Sequence, residues 1–318
     1  MRVAVTGANG FIGGAVCERL VEDGHDVRSI VRRAGSSPTG TDEFLIGNIC
    51  DTTFWPEALS RQDALVHLAA HAHIRNAPET AIDQFRRVNT EATLRLAAAA
   101  ARCGIQKLVF MSSIAAHGAA TASAPVTLDQ PSEPHTPYGI SKLEAEEGLR
   151  RLALPSLSVT CVRIPLVYGP RAPGNFARLL SLVKKQIPLP LGSVRNRRTM
   201  ISQWNLADAV TYELSSASSG FRLIQVADSE PISTPDLIRA IASGLGTRAR
   251  LFPVPPSLLR WLGRVARRSD DVNRLAGSLE VRIGSSDPAF DWWPSRATEV
   301  DIQLAAGLWH EQQQWAAE

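Results

Sequence analysis

Three glycines spaced three residues apart, directly after a short β-branched stretch, constrain this chain more than any other feature. Residues 3–6 predict a buried strand, Gly7, Gly10 and Gly13 follow it, and an amphipathic helix is predicted from Phe11. Gly7 permits a tight turn, Gly10 lets a pyrophosphate approach the backbone, and Gly13 lets the helix pack on the strand. The stretch therefore predicts a phosphate cradle at a helix N-terminus. A purely structural turn is the alternative.

Composition limits the classes of protein to which the chain can belong. Its 318 residues can bury a large core, and 44% hydrophobic with 20% charged residues is typical of a folded globular protein. A net charge of +3 gives no argument for nucleic acid or a membrane surface as partner. The most apolar run, 94–101, is too short to span a bilayer. The N-terminus enters the first strand at once, which predicts no signal peptide.

The four cysteines are scattered, without spacing suited to metal ligands or a disulfide framework (Cys17, Cys50, Cys103 and Cys161). We expect them to be small buried side chains in a reducing compartment. The sequence therefore predicts a cytoplasmic protein with no metal site.

Strands alternate with helices through the first half of the chain, which predicts an α/β fold with a doubly wound parallel sheet. Strands are predicted at 3–6, 27–31, 43–47, 64–68, 107–111 and 159–164. Helices are predicted at 11–23, 51–59 (capped by Asp51), 82–103 and 138–152.

The strand–helix alternation fades after 169, where prolines and glycines become frequent. We predict a Rossmann-like domain at 1–169, to which 204–227 returns, and a smaller C-terminal α/β substrate domain at 170–318. Four tryptophans near the end of the chain are expected to anchor the core of the smaller domain (Trp292, Trp293, Trp309 and Trp315).

Tyr138 and Lys142 lie four residues apart on a predicted helix, so the phenol and the ammonium group share a face. A nearby cation favours the phenolate and brings the pKa of a tyrosine toward the range useful for proton transfer. Ser113 follows the fifth predicted strand, at the edge of the sheet where ligands bind in such folds. It is placed to hold the oxygen that Tyr138 protonates. A solvated helix face and a turn cap are the alternatives for these residues.

Five motifs in this order resemble the extended short-chain dehydrogenases/reductases, within them the nucleotide-sugar epimerase/dehydratase group. They are the glycine motif, Leu68-Ala-Ala, Val88-Asn89, Ser112-Ser113 and Tyr138-x-x-x-Lys142, continued by 163–170. The resemblance implies that Tyr138 is the general acid/base, with Ser113 polarising the substrate oxygen and Lys142 binding the nicotinamide ribose. Asn89 is implied to brace the backbone. The implied cofactor-binding residues are Gly7, Asn9, Gly10, Phe11, Ile12, Gly13, Arg32, Asn48, Ile49, Leu68, Ala69, Ala70, Asn89, Tyr138, Lys142 and Pro165.

The second half of the chain offers candidates for binding a nucleotide-sugar diphosphate. By resemblance, Asn175 and Arg198 occupy the positions that contact such a group, and Arg282 is a further candidate. A guanidinium group suits a diphosphate because it donates two parallel hydrogen bonds. Arg195 and Arg197 are as readily explained by a basic surface patch.

Departures from the family pattern sharpen the expectation. Ile114 and Ala115 stand where dehydratases carry Asp-Glu, and neither can transfer a proton, which argues against dehydration. Arg32 replaces the acidic residue that binds the ribose 2′-hydroxyl of NAD; an arginine attracts a 2′-phosphate, so NADP(H) is favoured and NAD(H) is the alternative. Leu166 and His117 replace the usual Asn and Tyr, which puts one sugar-nucleotide contact in doubt and alters the pocket wall.

A net reductase has reason to select NADPH, and the segments 189–195 and 253–256 resemble enzymes of bacterial surface-polysaccharide synthesis that act at C4. The sequence therefore favours a 4-reductase of a UDP-4-keto-6-deoxy-N-acetylhexosamine. A UDP-glucose or UDP-N-acetylglucosamine 4-epimerase with bound NAD is the alternative, and a non-catalytic NADP(H)-binding regulator is the alternative of another class. The resemblance also implies a homodimer formed through the helices at 82–103 and 138–152.

Overall fold

The computed structural model describes residues 1–72, 81–118, 121–152, 156–217, 219–265 and 269–315. The first half contains strands β1 (Arg2–Thr6), β2 (Asp26–Val31), β3 (Asp42–Leu45), β4 (Ala64–His67), β5 (Lys107–Met111) and β6 (Ser158–Arg163). Its helices are α1 (Phe11–Glu22), α2 (Trp55–Leu59), α3 (Ile82–Phe85), α4 (Ala92–Arg102) and α5 (Pro137–Leu152). The predicted strands and helices therefore exist, with ends that differ by one to four residues.

The second half contains shorter strands and more loops. Its strands are β7 (Leu166–Tyr168), β8 (Met200–Ser202), β9 (Phe221–Gln225) and β10 (Gly284–Ser285). Its helices are α6 (Asn175–Lys184), α7 (Gln203–Ser215), α8 (Thr234–Gly244), α9 (Pro256–Val265), α10 (Ser269–Ala276) and α11 (Thr298–Trp315). No helix within the described ranges has the length and apolar character needed to cross a bilayer.

Eight strands form one sheet in the order β10-β9-β6-β5-β4-β1-β2-β3. All neighbours are parallel except β10, which pairs antiparallel with β9 at the edge. The central strands are nearly continuous buried runs, as expected when helices cover both faces of a sheet. The order reverses at β1 and β4, which creates the crevice where ligands bind in such folds. The predicted doubly wound α/β fold is confirmed.

Helices pack on both faces of the sheet. The apolar residues of α1 and α7 pack on one face (Val16, Leu20, Leu206 and Val210 among them). Those of α2, α4 and α5 pack on the other (Leu59, Leu96 and Leu149 among them). α7 and β9 lie within 204–227, and they pack on and extend the sheet.

A separate apolar cluster joins α6, α8, α9 and α11 beside the carboxyl end of the sheet; we call it the cap cluster. Residues from all four helices contribute to it (Phe176, Leu180, Ile241, Leu259 and Ile302 among them). The short sheet of β7 and β8 links the cap cluster to the main sheet. The boundary between residues 169 and 170 stays a prediction.

Two of the four tryptophans, Trp292 and Trp293, do not anchor the core that the sequence analysis assigned to them. Trp292 is buried, but against α7 in the core of the large sheet, and Trp293 is 64% exposed. Trp309 does pack partly against the cap cluster, and the side chain of Trp315 is outside the described part of the chain. Aromatic content predicted burial but gave no information on which core each ring would join.

Two predicted helices differ in detail. Asp51 does not cap α2, which begins after Phe54; its carboxylate instead accepts a hydrogen bond from Arg87 at 2.6 Å. The helix predicted at 82–103 is interrupted by a π-helical turn at Arg86–Glu91, which separates α3 from α4. A π turn adds a residue to one turn, and such turns are frequent at functional sites.

Candidate active site

The glycine motif forms a tight turn between β1 and α1. Gly7 has φ of +70°, and a Cβ there would lie 2.8 Å from the backbone nitrogen of Ala69. A Cβ on Gly13 would lie 2.1 Å from the carbonyl oxygen of Gly7, and Gly10 N–H donates to that same oxygen at 2.9 Å. No side chain caps α1 at Gly10, and its first turn carries no acidic residue. The free N–H groups of this turn therefore fit the pyrophosphate of a dinucleotide.

The other predicted cofactor residues of the first half follow the carboxyl ends of neighbouring strands. Asn9 follows β1, and its Nδ2 donates to Ser36 Oγ at 3.2 Å. Arg32 follows β2 and is exposed. Asn48, which donates to Asp51 at 2.6 Å, and Ile49 follow β3. Leu68, Ala69 and Ala70 follow β4, with Ala69 against Gly7, and the buried Pro165 lies between β6 and β7.

Ser113 and Tyr138 are brought together across the end of β5. Ser113 precedes a 3₁₀ turn at Ile114–Ala116, and its Oγ accepts a hydrogen bond from Ala115 N–H at 3.2 Å. Burial raises the pKa of the Tyr138 phenol, and its hydrogen bond with the Ser113 side chain lowers it. A Cβ on Gly139 would lie 2.3 Å from the carbonyl oxygen of Ala115, so a glycine at this position lets α5 approach closely. Ser113 is thus both a cap and a partner of the phenol.

Lys142 follows Tyr138 by one turn of α5 and is buried. Its Nζ donates to the carbonyl oxygen of Met111 at 2.8 Å and lies 4.5 Å from the centre of the Phe110 ring. Burial lowers the pKa of Lys142 to about 8, while the negative charge of Glu146 opposes that shift. The lowering of the Tyr138 pKa predicted from the Tyr138–Lys142 spacing is not found, because burial dominates and raises that pKa.

One further turn along α5, Glu146 forms a buried ion pair that the sequence analysis did not assign. Its carboxylate accepts from Arg163 Nη2 at 2.7 Å and from Arg163 Nε at 3.0 Å, and it also accepts from the Ser112 hydroxyl. The pair fixes α5 against the ends of β5 and β6. The spacing Tyr138-x-x-x-Lys142-x-x-x-Glu146 places all three side chains on one helix face, and this was the signal that could have found it.

Asn89 lies in the π-helical turn and is fully buried. Its side chain accepts from His71 N–H at 2.7 Å and donates to the carbonyl oxygen of His71 and to Ser141 Oγ, each at 3.0 Å. These bonds connect the loop after β4 to α5, one residue before Lys142. The side chain therefore contacts both the loop next to the glycine motif and the helix of Tyr138.

His67, also missed by the sequence analysis, ends β4 in a buried hydrogen-bond chain. The Thr93 hydroxyl donates to the carbonyl oxygen of Asn89, so its oxygen accepts from His67 Nε2 at 2.9 Å. Nδ1 then accepts from the Thr6 hydroxyl at 2.6 Å. Burial, with a smaller effect from the Lys142 cation, lowers the pKa of His67 to about 3, so the ring is neutral.

Two further histidines, His71 and His73, follow β4 in the sequence. His71 lies beside Phe85, with the ring centres 5.1 Å apart, whereas His73 is outside the described residues. Burial lowers the pKa of His117, and the Arg163 charge lowers it further. Across the ranges that the structure describes, no group of His, Cys, Asp or Glu is arranged to hold a metal ion.

The three residues predicted to bind the substrate diphosphate lie in different elements of the second half of the chain. Arg198 Nη1 donates to the carbonyl oxygen of Gly277 at 3.0 Å, and the backbone of Arg282 pairs with Val126 in the long loop after Ser113. The segment 277–282 therefore joins Arg198 and Arg282 to that loop. Asn175 is the first residue of α6 and is exposed.

Comparisons with known proteins agree with this geometry. Residues 3–225 match the model of the NAD dependent epimerase/dehydratase family. A UDP-glucose 4-epimerase of Vibrio cholerae is 33% identical over 309 residues, which cover 96% of this chain and 94% of that protein. An N-acetyl-α-D-glucosaminyl-diphospho-ditrans,octacis-undecaprenol 4-epimerase of Escherichia coli O157:H7 is 25% identical, covering 80% and 75%.

Solved structures share the whole fold. The UDP-glucose 4-epimerase of Thermus thermophilus, in complex with NAD, superimposes with a TM-score of 0.73 at 25% identity, covering 97% of this chain and 99% of that one. The UDP-N-acetylglucosamine 4-epimerase of Bacillus cereus gives 0.76 at 19% identity, covering 97% and 99%. The chain belongs to the NAD-dependent epimerase/dehydratase family and is a nucleotide-sugar enzyme of the short-chain dehydrogenase/reductase class.

Proposed function

We propose that the chain is a 4-epimerase of a UDP-hexose or UDP-N-acetylhexosamine, with Tyr138 as its acid/base. The observation that supports this most is the close packing of α5, which carries Tyr138 and buried Lys142, against the turn that follows Ser113. The 33% identity with a UDP-glucose 4-epimerase along nearly the whole chain supports the same reaction. Ile114 and Ala115, which cannot exchange protons, speak against dehydration.

In this proposal bound NAD(P) would supply the hydride acceptor and donor for C4 of the sugar, and C4 is inverted when the hydride returns to the opposite face of the 4-ketone. Tyr138 Oη takes the proton of the sugar 4-hydroxyl and later gives it back to the oxygen of the 4-ketone. The Ser113 hydroxyl donates a hydrogen bond to that oxygen and stabilises the negative charge that develops on it. Lys142 stabilises the phenolate form of Tyr138, which exists before the first of these events and again after the second.

The residues that would hold the cofactor are those around the glycine motif. Backbone N–H groups from Phe11 to Gly13 would bind the pyrophosphate, and Lys142 would donate to the nicotinamide ribose. Arg32 is exposed at the end of β2, where it would meet an adenosine ribose 2′-phosphate. We therefore propose a preference for NADP(H), with NAD(H) as the alternative that the names of the relatives favour.

Arg32 also favours the second candidate, the 4-reductase of a UDP-4-keto-6-deoxy-N-acetylhexosamine. An epimerase regenerates its own cofactor in each cycle, whereas a reductase consumes NADPH and benefits from selecting it. The non-catalytic regulator is the weaker alternative, because the Ser113, Tyr138 and Lys142 set is complete.

Arg198 and Arg282 would bind the substrate diphosphate, with Asn175 at the start of α6. That diphosphate belongs to a UDP-sugar in our proposal; a lipid-linked diphosphate sugar, as in the name of the Escherichia coli relative, is the alternative. We place the enzyme in the cytoplasm, since its four cysteines are free thiols. We also propose a homodimer through the helices of 82–103 and 137–152, by family resemblance.

The deciding experiment supplies the purified protein with UDP-glucose or UDP-N-acetylglucosamine, without added reductant. A 4-epimerase converts each into its galacto epimer with only catalytic amounts of NAD(P). If instead only a 4-keto-6-deoxy UDP-sugar reacts, with one NADPH oxidised for each product, the reductase is correct. If neither substrate reacts while NADP(H) still binds, the regulator replaces both enzymatic proposals.

A further inference from the structure

Helix α9 leaves large apolar side chains in solvent. Leu259 packs into the cap cluster and anchors the helix. On the outward side, Leu258 is 44% and Trp261 57% exposed, and Phe252, in the segment that leads into α9, is 44% exposed. Leu258 and Trp261 are three residues apart and therefore adjacent on the helix surface.

The segment that contains this apolar surface is rich in arginine. The stretch 244–269 contains six arginines and no lysine, aspartate or glutamate, although the whole chain has a net charge of only +3. The rest of the chain therefore carries a net charge of −3. Extending the stretch to 276 adds Arg274, Asp270 and Asp271, which leaves a local net charge of +5.

The arginines are available to an external partner. Four of the six have described side chains, and all four are exposed (Arg248, Arg250, Arg260 and Arg264). No carboxylate among the side chains that the structure describes forms an ion pair with them. On α9, Arg260 and Arg264 are one turn apart and lie on one side of Trp261, with Leu258 on its other side, so the outward face has an apolar edge and a cationic edge.

We propose that this surface, formed by Phe252, Leu258, Arg260, Trp261 and Arg264, docks the protein on a bilayer that contains anionic lipids. A helix with arginines on one edge and Trp and Leu on the other lies in the interface of such a bilayer, with the apolar side chains among the acyl chains. Tryptophan prefers this boundary because its ring is apolar and its N–H is polar. The net charge of the whole chain does not indicate this surface, because the excess of arginines is confined to one segment.

The surface is connected to the wall of the candidate active site. α10 follows α9 and ends at Ala276, and the next residue, Gly277, accepts the hydrogen bond of Arg198. Ser278 then accepts from Ala122 N–H at 2.9 Å, in the loop after Ser113. A protein docked through α9 holds this wall of the site close to the lipid surface.

The test is flotation of the full-length protein with vesicles of phosphatidylcholine, or with vesicles in which roughly a third is replaced by phosphatidylglycerol. We expect flotation only with the anionic vesicles, and its loss in high salt, which screens exposed charges. Each arginine near an anionic surface contributes roughly fivefold to partitioning, so R260Q/R264Q lowers it roughly 25-fold. Trp261→Ser should also lower the partitioning onto anionic vesicles, but should leave the dependence of partitioning on salt unchanged.

The controls are matched in residue type and exposure. R61Q/R178Q removes two exposed arginines that lie outside both α9 and the proposed dimer helices, and Trp293→Ser removes another highly exposed tryptophan; both variants should float like the wild type. Equal flotation of R260Q/R264Q and R61Q/R178Q overturns the proposal. So does a wild type that stays unbound while Trp261→Ser changes its oligomeric state, since α9 then contacts a second copy. Vesicle binding does not depend on activity, so a failed epimerase assay leaves this test unaffected.

Discussion

Glu146 and Arg163 form an ion pair that is nearly closed to solvent, with side chains 5% and 3% exposed. Two nitrogens of the guanidinium group reach the carboxylate, and the Ser112 hydroxyl binds it as well. The pair lies one turn beyond Lys142, so it determines how α5 presents Lys142 and Tyr138 to the end of β5.

We predict that Glu146→Ala destabilises the fold by about 3–5 kcal/mol, because it leaves the Arg163 cation buried without a partner. Urea unfolding measures this. The neighbouring Glu147 is the control, since its pair with Arg151 is exposed and Glu147→Ala should cost less than about 1 kcal/mol. Equal losses in the two variants would show that the buried pair has no special role.

Asn89→Ala should lower both stability and turnover. It removes two hydrogen bonds from Asn89 to His71, in the loop after β4, and one to Ser141, in α5. Together these three bonds contribute about 3 kcal/mol. The thermal midpoint and kcat measure the two effects. Thr90→Ser is the control, because it keeps the hydroxyl that donates to the carbonyl oxygen of Ser141 at 2.8 Å. A variant of Asn89 with normal stability and turnover would contradict the bracing role.

Lys142 predicts a specific pH dependence. Its pKa of about 8 in the folded protein lies below the ordinary value of 10.5, so the unfolded state binds more protons between these two pH values. The free energy of unfolding of the wild type, relative to that of Lys142→Met, should therefore rise with pH over this window. Turnover should fall over the same window, because the cation that supports the Tyr138 phenolate is lost. Lys142→Met should have a low turnover that does not decline over this window. If turnover of the variant still declines there, a titrating group other than Lys142 causes the decline.

Arg32→Asp tests cofactor preference. Replacing a guanidinium group by a carboxylate removes an attraction for the 2′-phosphate and adds a repulsion, so the affinity ratio of NADPH to NADH should fall roughly 10–100-fold. Fluorescence titration of each cofactor measures the ratio, and Arg33→Asp, at the adjacent exposed position, should change it less. An unchanged ratio in Arg32→Asp would contradict the role given to Arg32.

The sequence predicted the sheet and the cradle well because both depend on local patterns. Buried apolar runs identified β1, β5 and β6, and the glycine spacing required the turn that Gly7 and Gly13 form. The π turn at Asn89 and the chain from Thr6 through His67 to Thr93 escaped prediction. They depend on contacts between residues 18 or more apart in sequence, which no local period reports.

The second half of the chain was harder to predict for the same reason. Trp292 and Trp293 are adjacent in sequence, yet one is buried and the other is exposed. Arg198 and Gly277 are far apart in sequence and make contact only because the chain folds the segment 277–282 against Arg198. The basic stretch of 244–269 was visible in the sequence, but the outward direction of Trp261 required the packing of Leu259 to be known.

The turnover of Tyr138→Phe is the most direct test of the proposed mechanism. The variant loses only the phenolic oxygen, so we predict that kcat for C4 epimerisation falls roughly 10²–10⁴-fold while NAD(P) affinity stays within about twofold. Tyr212→Phe is the control, since that phenol binds Asp291 at 2.5 Å, away from the site, and its loss should leave kcat unchanged. Wild-type turnover by Tyr138→Phe would contradict the assignment of Tyr138 as the acid/base.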